Sequence, residues 1–237
     1  MGAMQASGAG RPSHVIPWLK KVSIFQELGP DALGEISKIT EVISFEPNQT
    51  VFLANEVADA LYVIMSGQVR IEQNYRDGRR KTLAFLGPGH FFGEMAIVTD
   101  RRRCATAIIS ETAELMRVDK TAFLSSLKKN AELCFGILQV ICERLRMADD
   151  EIHNLTFRNL PGRIVSKLFE LGEQFGRATE NGLLINLELT HYDLADMVGT
   201  NRESISKYLS KFKREGSVAT HKKLLIIKDR RKLLSWT

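Results

Sequence analysis

The apolar positions change rhythm along the chain, and each rhythm predicts a different element. Over residues 42–118 they fall in short runs such as "ALYVIMSGQVRIEQNY" and "TAIISETAELMRV", cut by Pro47-Asn48, Ser66-Gly67, Asp77-Gly78 and Gly87-Pro88-Gly89. Strand-length runs separated by turn residues predict a compact antiparallel roll, with Asp77-Gly78 at a hairpin tip. "PDALGEISKI", ahead of them, reads as helical. Cys134, Leu138, Ile141, Leu145, Ala148, Ile152 and Leu155 then recur alternately four and three residues apart, which predicts one long helix over residues 129–157. The stripe is narrow and keeps a period of about 3.5, so the helix is expected to pair with a second copy of itself. "NLPGR", residues 159–163, breaks this helix and opens another. The expected organisation is α+β: a β-roll over 14–128, a pairing helix over 129–158 and a C-terminal domain over 159–237.

Within the last domain, "LTHYDLADMVGTNRESISKYLSKFKREGSV" carries the signals of two helices at a tight turn. Thr190 is a good N-cap, Gly199 ends the first helix, and a second begins near Asn201 or Arg202. Ala195, Gly199 and Ile205 supply the small crossing residue, the left-handed turn and the inward apolar residue of a helix-turn-helix. Ile205, Leu209 and Phe212 form the buried stripe of the second helix. Its other face shows Arg202, Glu203, Ser206 and Lys207, with Lys211, Lys213 and Arg214 further on. Two β-like runs then flank His221-Lys222-Lys223, a basic wing.

Charge agrees with that placement. The chain of 237 residues has a net charge of +5, and residues 161–237 hold 14 Lys and Arg against 9 Asp and Glu, whereas residues 1–160 hold 19 of each. The excess in the last third predicts a polyanionic partner, double-stranded DNA, met by Thr190, Arg202, Glu203, Ser206, Lys207, Lys211, His221 and Lys222. Arginine and lysine donate to guanine edges, and glutamate accepts from cytosine N4.

Other function classes find little support. No apolar run approaches the ~20 residues of a membrane span. "MGAMQASGAG" lacks the cationic start and apolar core of a secretory signal, and Met1-Gly2-Ala3 before Met4 reads as an added leader. Cys104, Cys134 and Cys142 have neither disulfide-framework nor metal spacing, so a reducing cytoplasm and no metal are expected. Five scattered histidines and no GxxxxGK[ST] offer no catalytic constellation, so no enzyme is expected.

"FFGEMAIVTDRRRCATA", residues 91–107, sets a glycine and a carboxylate against three arginines across one short turn. With "NLTFRNLPGR" and "GTNRESISKYL", it resembles the Crp/Fnr transcription regulators over nearly the whole chain from Phe25. The resemblance implies an effector-binding β-roll, a dimerising helix and a winged helix-turn-helix that binds a palindromic operator and acts on RNA polymerase. It makes Gly93 and Glu94, with Met95 beside them, the ligand cassette, and Arg103 and Cys104 the phosphate side. It makes Arg202, Glu203 and Lys207 base readers, Lys207 standing where the family usually has arginine. A cyclic nucleotide presents a ribose hydroxyl and a ring phosphate close together, which a carboxylate and a guanidinium suit.

Cyclic AMP is the first expectation for the effector. Ala148 and Asp149 depart from the cyclic-AMP pattern, which has two hydroxyl residues there. The alternative is cyclic di-GMP, whose two phosphates could use Arg70, Arg76, Arg79, Arg80 and the 101–103 cluster. A regulator without nucleotide and a cyclic-nucleotide-binding regulatory subunit are further alternatives, and the helix-turn-helix argues against the latter. No cysteine precedes the roll to hold an iron-sulfur cluster. Cys104 is expected to fill space as a buried small residue.

Overall fold

Proximity of the strands and helices divides the computed structural model, which describes residues 15–26, 28–75 and 80–237, into two units, Met1–Arg144 and Leu145–Thr237. The turn at Asp77-Gly78 lies outside the described residues, as do the first 14.

In the first unit, short helices α1 (Ile16–Leu19) and α2 (Pro30–Lys38) precede six strands: β1 (Thr40–Phe45), β2 (Thr50–Phe52), β3 (Ala60–Asn74), β4 (Arg80–Leu86), β5 (Phe91–Phe92) and β6 (Thr106–Asp119). The sheet runs β1-β6-β3-β4, with β2 added to β6 and β5 to β3. β3 and β6 pair antiparallel, Val63 opposite Met116 and Ile64 opposite Leu115. Alternate side chains point to opposite faces, so Leu61 and Val63 enter one core with Met116, Phe25 and Phe123. Tyr62 and Ile64 enter the other, with Val69, Ile109 and Leu115. Burial on both faces explains why β3 opens as an unbroken apolar run rather than an alternating one. Asn48 and Asn55 take φ of 68° and 70°, left-handed values that asparagine tolerates and that turn the chain between strands.

Helix α3 (Glu94–Val98) follows β5, and α4 (Lys120–Lys129) follows β6. The Asp119 carboxylate caps α4 by accepting from Thr121 N at 2.9 Å and Ala122 N at 3.1 Å. Asn130 is extended, so the long helix α5 (Ala131–Phe157) starts two residues later than the stripe suggested. One face of α5 packs on the first core through Leu133 and Ile137, with Val140 and Ile141 partly buried there. Ile141, expected in the pairing seam, is thus shared with this core. The rest of the seam, including Leu138, Leu145, Ile152 and Leu155, is exposed in the single chain, Leu145 by 62%.

The second unit is built on α6 (Leu160–Phe175), which Asn159 caps by accepting from Gly162 N at 2.9 Å. Its apolar stripe of Ile164, Val165, Leu168 and Leu171 is buried. Strands β7 (Gly176–Thr179) and β8 (Gly182–Ile185), then helices α7 (His191–Val198) and α8 (Arg202–Arg214), lead to the wing hairpin β9 (Val218–His221) and β10 (Leu224–Ile227) and to α9 (Arg230–Leu234). The strands form one sheet in the order β7-β8-β10-β9. The β7–β8 hairpin is an addition to the expected domain. Its marker is Asn181-Gly182, where Gly182 takes φ 119° and a Cβ would lie 2.3 Å from the Ile227 carbonyl oxygen.

Candidate functional site

The cassette forms where β5 ends. Gly93 takes φ 87°, left-handed, and turns the chain into α3, so Glu94 becomes the first residue of a helix. A Cβ on Gly93 would sit 2.6 Å from Nη1 of Arg103, so only glycine lets the guanidinium approach this backbone. Arg103 is 3% exposed. Its Nη1 donates to Gly93 O at 2.8 Å and its Nη2 to Ala60 O at 2.6 Å. The plane lies 4.1 Å over the Phe52 ring, and Nη2 is 3.7 Å from Asp59. Burial lowers the Arg103 pKa against the pull of the nearby Tyr62, Asp59, Glu56 and Glu94.

Glu94 is 1% exposed, and its Oε1 is ion-paired with Nη1 of Arg144 on α5. Arg144 also donates from Nη2 to Phe91 O at 2.7 Å, which ties α5 to the cassette. Burial pushes the Glu94 carboxyl above the usual carboxylate range, outweighing the Arg144 charge that favours ionisation.

Two buried polar atoms in this cluster have no partner: Oε2 of Glu94 and Nε of Arg103. One is an acceptor and the other a donor, and buried groups of this kind are ordinarily bonded. A hydroxyl that donates and an anionic oxygen that accepts would satisfy them. The donor set therefore fits a sugar phosphate.

The remaining expected residues are placed less uniformly. Met95 is exposed on α3. Cys104 is exposed, not buried, because Arg103 turns inward and leaves its neighbour on the outer side of the loop; the space-filling expectation is corrected. Ala148 and Asp149 are exposed on α5 in the second unit. Arg101 and Arg102 are exposed, Arg102 donating to Asn55 O at 2.8 Å. Arg70 lies 3.0 Å and Arg80 3.8 Å from the buried Glu72 carboxylate, while Arg76 and Arg79 fall outside the described residues.

Sequence reasoning missed Arg144. A signal was present: Leu133, Ile137, Val140 and Arg144 continue one inward stripe at spacings of four, three and four. A cation on the apolar face of a helix needs a buried partner.

The helix-turn-helix has the expected local chemistry. Asp193 N donates to the Thr190 hydroxyl at 3.1 Å and Thr190 N to the Asp193 carboxylate at 3.0 Å, a reciprocal cap that occupies the Thr190 side chain. Gly199 ends α7 with φ 72°. Asn201 starts α8 by accepting from Ser204 N at 2.8 Å. Ala195, Ile205, Leu209 and Phe212 are buried, which turns Arg202, Glu203 and Lys207 outward. Ser206, half-buried, is bonded to His191 at 2.7 Å. Lys211 leans over Tyr208 at 5.4 Å and Trp236 at 5.8 Å. His221 is exposed, and Lys222 and Lys223 take φ of 46° and 69° to turn the wing.

No helix among the described residues is long and apolar enough to cross a membrane. Among the same residues there is no cluster of three or more His, Cys, Asp or Glu side chains able to hold a metal.

Comparison with known proteins extends both sites. Residues 42–130 match the cyclic nucleotide-binding domain, and residues 162–236 match the Crp-like helix-turn-helix domain. The chain is 31% identical over 215 residues to a CRP-like cAMP-activated global transcriptional regulator of Mycobacterium tuberculosis, covering 91% of this chain and 96% of that protein. It is 28% identical over 200 residues to the cyclic AMP receptor protein of Thermus thermophilus, covering 84% of this chain and 89% of that one. A solved transcriptional regulator of the CRP family from Thermus thermophilus superposes with a TM-score of 0.68 at 26% identity, over 81% of this chain and 94% of that one.

Proposed function

Since the chain belongs to the Crp/Fnr family of transcription regulators, which are not enzymes, and carries both a cyclic nucleotide-binding domain and a DNA-binding helix-turn-helix, we propose that cyclic AMP binds its β-roll and controls operator binding by a homodimer. The observation that carries the effector reading is the pair of buried, partnerless atoms, Glu94 Oε2 and Arg103 Nε. A cyclic nucleotide supplies a ribose hydroxyl to the first and a ring phosphate to the second. Glu94 accepts from the hydroxyl while Arg144 neutralises its charge. Arg103, fixed by the Gly93 and Ala60 carbonyls, presents Nε to the phosphate. Similarity to a cAMP-activated regulator supports this choice of nucleotide.

The exposed apolar stripe of α5 supports dimerisation, because an a/d seam left in water is costly and a second copy offers the matching surface. In the dimer two α8 helices stand about 34 Å apart and enter successive major grooves of a palindromic site. Arg202, Glu203 and Lys207 read base edges, and His221 and Lys222 on the wing meet phosphate. The switch runs through α5, because Arg144 on that helix holds Glu94 and a ligand at Glu94 competes for, or reinforces, that pair. The protein acts in the cytoplasm, altering transcription by contacting RNA polymerase or excluding it.

Calorimetric titration of the full chain with cyclic AMP, and separately with cyclic di-GMP, tests the reading. Cyclic AMP is expected to bind with Kd on the order of micromolar and to lose at least about a hundredfold in Arg103→Ala and in the milder Arg103→Lys. Binding of cyclic di-GMP alone would overturn the choice of nucleotide. Silence with both would overturn nucleotide control.

A further inference from the structure

The imidazole of His191 has a place that neither helix capping nor the outward face of α8 accounts for. It is the first residue of α7, and its Nδ1 lies 2.7 Å from Oγ of Ser206 on α8. Ser206 stands one turn along α8 from Arg202 and next to Lys207, so this bond joins the supporting helix to the reading helix beside the base-facing side chains. His191 also lines a cavity of about 290 Å³ with Thr190, Lys213, Thr220 and Lys223. The charged groups facing it are Arg202 and Lys213 of α8 and Lys223 of the wing turn. On its own helix, the Asp193 carboxylate is bound by the Thr190 N–H at 3.0 Å and hydroxyl at 2.6 Å.

We propose that His191 is a positioning residue that takes up a proton when duplex DNA binds, and that this proton sets the direction in which the Ser206 hydroxyl offers its hydrogen. The inference rests on α8 as the DNA-facing helix. A serine hydroxyl has one hydrogen. When neutral His191 offers Nδ1 as an acceptor, Ser206 donates to it and presents only lone pairs to the groove. When the ring is protonated, Nδ1–H donates to Ser206 Oγ, and the hydroxyl hydrogen turns toward an acceptor such as guanine O6 or N7.

Burial, then the charges of Lys213 and Arg202, hold His191 below its usual value in the free protein. Duplex phosphates neutralise those same cations and favour the imidazolium form. The DNA-bound value is therefore higher than the free one. The gain in affinity is complete below the free-state value and vanishes above the bound-state value, so binding tightens as pH falls through that window.

The test is the affinity of the full chain for a duplex enriched by the wild type from a random pool, measured by fluorescence anisotropy from about pH 8 to about pH 5.5. Wild type is expected to tighten about tenfold for each unit by which DNA raises the His191 pKa. His191→Gln keeps a neutral amide in reach of Ser206 and is expected to lose this pH dependence. Parallel profiles for wild type and His191→Gln would overturn the proposal. Calorimetry of wild type in two buffers of different ionisation enthalpy gives a readout independent of the variant: proton uptake on binding is expected, and none at any pH in the range would also overturn it. Absence of duplex binding at every pH would instead remove the α8 interface, and the coupling with it.

Discussion

Two Arg/Glu pairs in this chain have opposite surroundings. In the cassette, Glu94 is 1% and Arg103 3% exposed; on α8, Arg202 and Glu203 stand in water. Buried charges are strongly directional and costly to leave unpaired, so the cassette can recognise one small ligand atom by atom. Solvated charges are screened and adaptable, which suits a long polyanion bound over many phosphates and read at a few base edges. The same residue types therefore suit two kinds of recognition, and burial distinguishes them.

Removing one partner on each side exposes the contrast. Arg103→Ala has the largest expected effect: it frees the half-buried Gly93 and buried Ala60 carbonyls and is expected to cost about 2–4 kcal/mol in chemical denaturation besides abolishing nucleotide binding. Arg202→Ala is expected to leave stability within about 0.5 kcal/mol but to weaken specific operator binding by about 1–3 kcal/mol. An Arg202→Ala chain that melts early, or an Arg103→Ala chain as stable as wild type, would break the comparison.

The smallest effect sharpens it further. Burial raises the Glu94 pKa, so the folded chain holds that proton more tightly than the unfolded chain. Its contribution to stability is greatest below the unfolded value of about 4.5 and declines as pH rises toward the raised folded value. The Tm of wild type is therefore expected to fall more steeply with rising pH across this window than that of Glu94→Gln. Equal slopes for wild type and Glu94→Gln would show that Arg144 compensates the burial fully.

The helix-turn-helix was legible almost residue by residue. Thr190, Gly199 and Asn201 act through hydrogen bonds and backbone angles within a few residues, and the buried stripe of Ile205, Leu209 and Phe212 follows from helical period alone. The turn at Asn48 was legible for the same reason, since its left-handed tolerance is intrinsic to the residue type. The cassette was legible only in outline. Gly93, Glu94 and Arg103, singled out in the sequence, do lie together, but the inward turn of Arg103 also placed Cys104 outside, contrary to expectation. β7 and β8 were missed although Asn181-Gly182 marked the turn, because their short runs show no clear alternation.

The amino-acid sequence by itself determined the sequence of roll, long helix and helix-turn-helix, the caps and turns around them, the seam stripe of α5 and the concentration of positive charge in the last third. Each is a property of neighbouring residues or of simple periodicity. Tertiary structure decided which charges are buried and with whom. Arg144 meets Glu94 across 50 positions of sequence, and Arg103 meets Ala60 across 43, contacts that exist only once β3, β5 and α5 share a core. Desolvation is set by everything packed around a group, so no local pattern distinguishes the buried Glu94 from the solvated Glu203, and it is that difference on which their proposed roles, ligand contact and reader of DNA, rest.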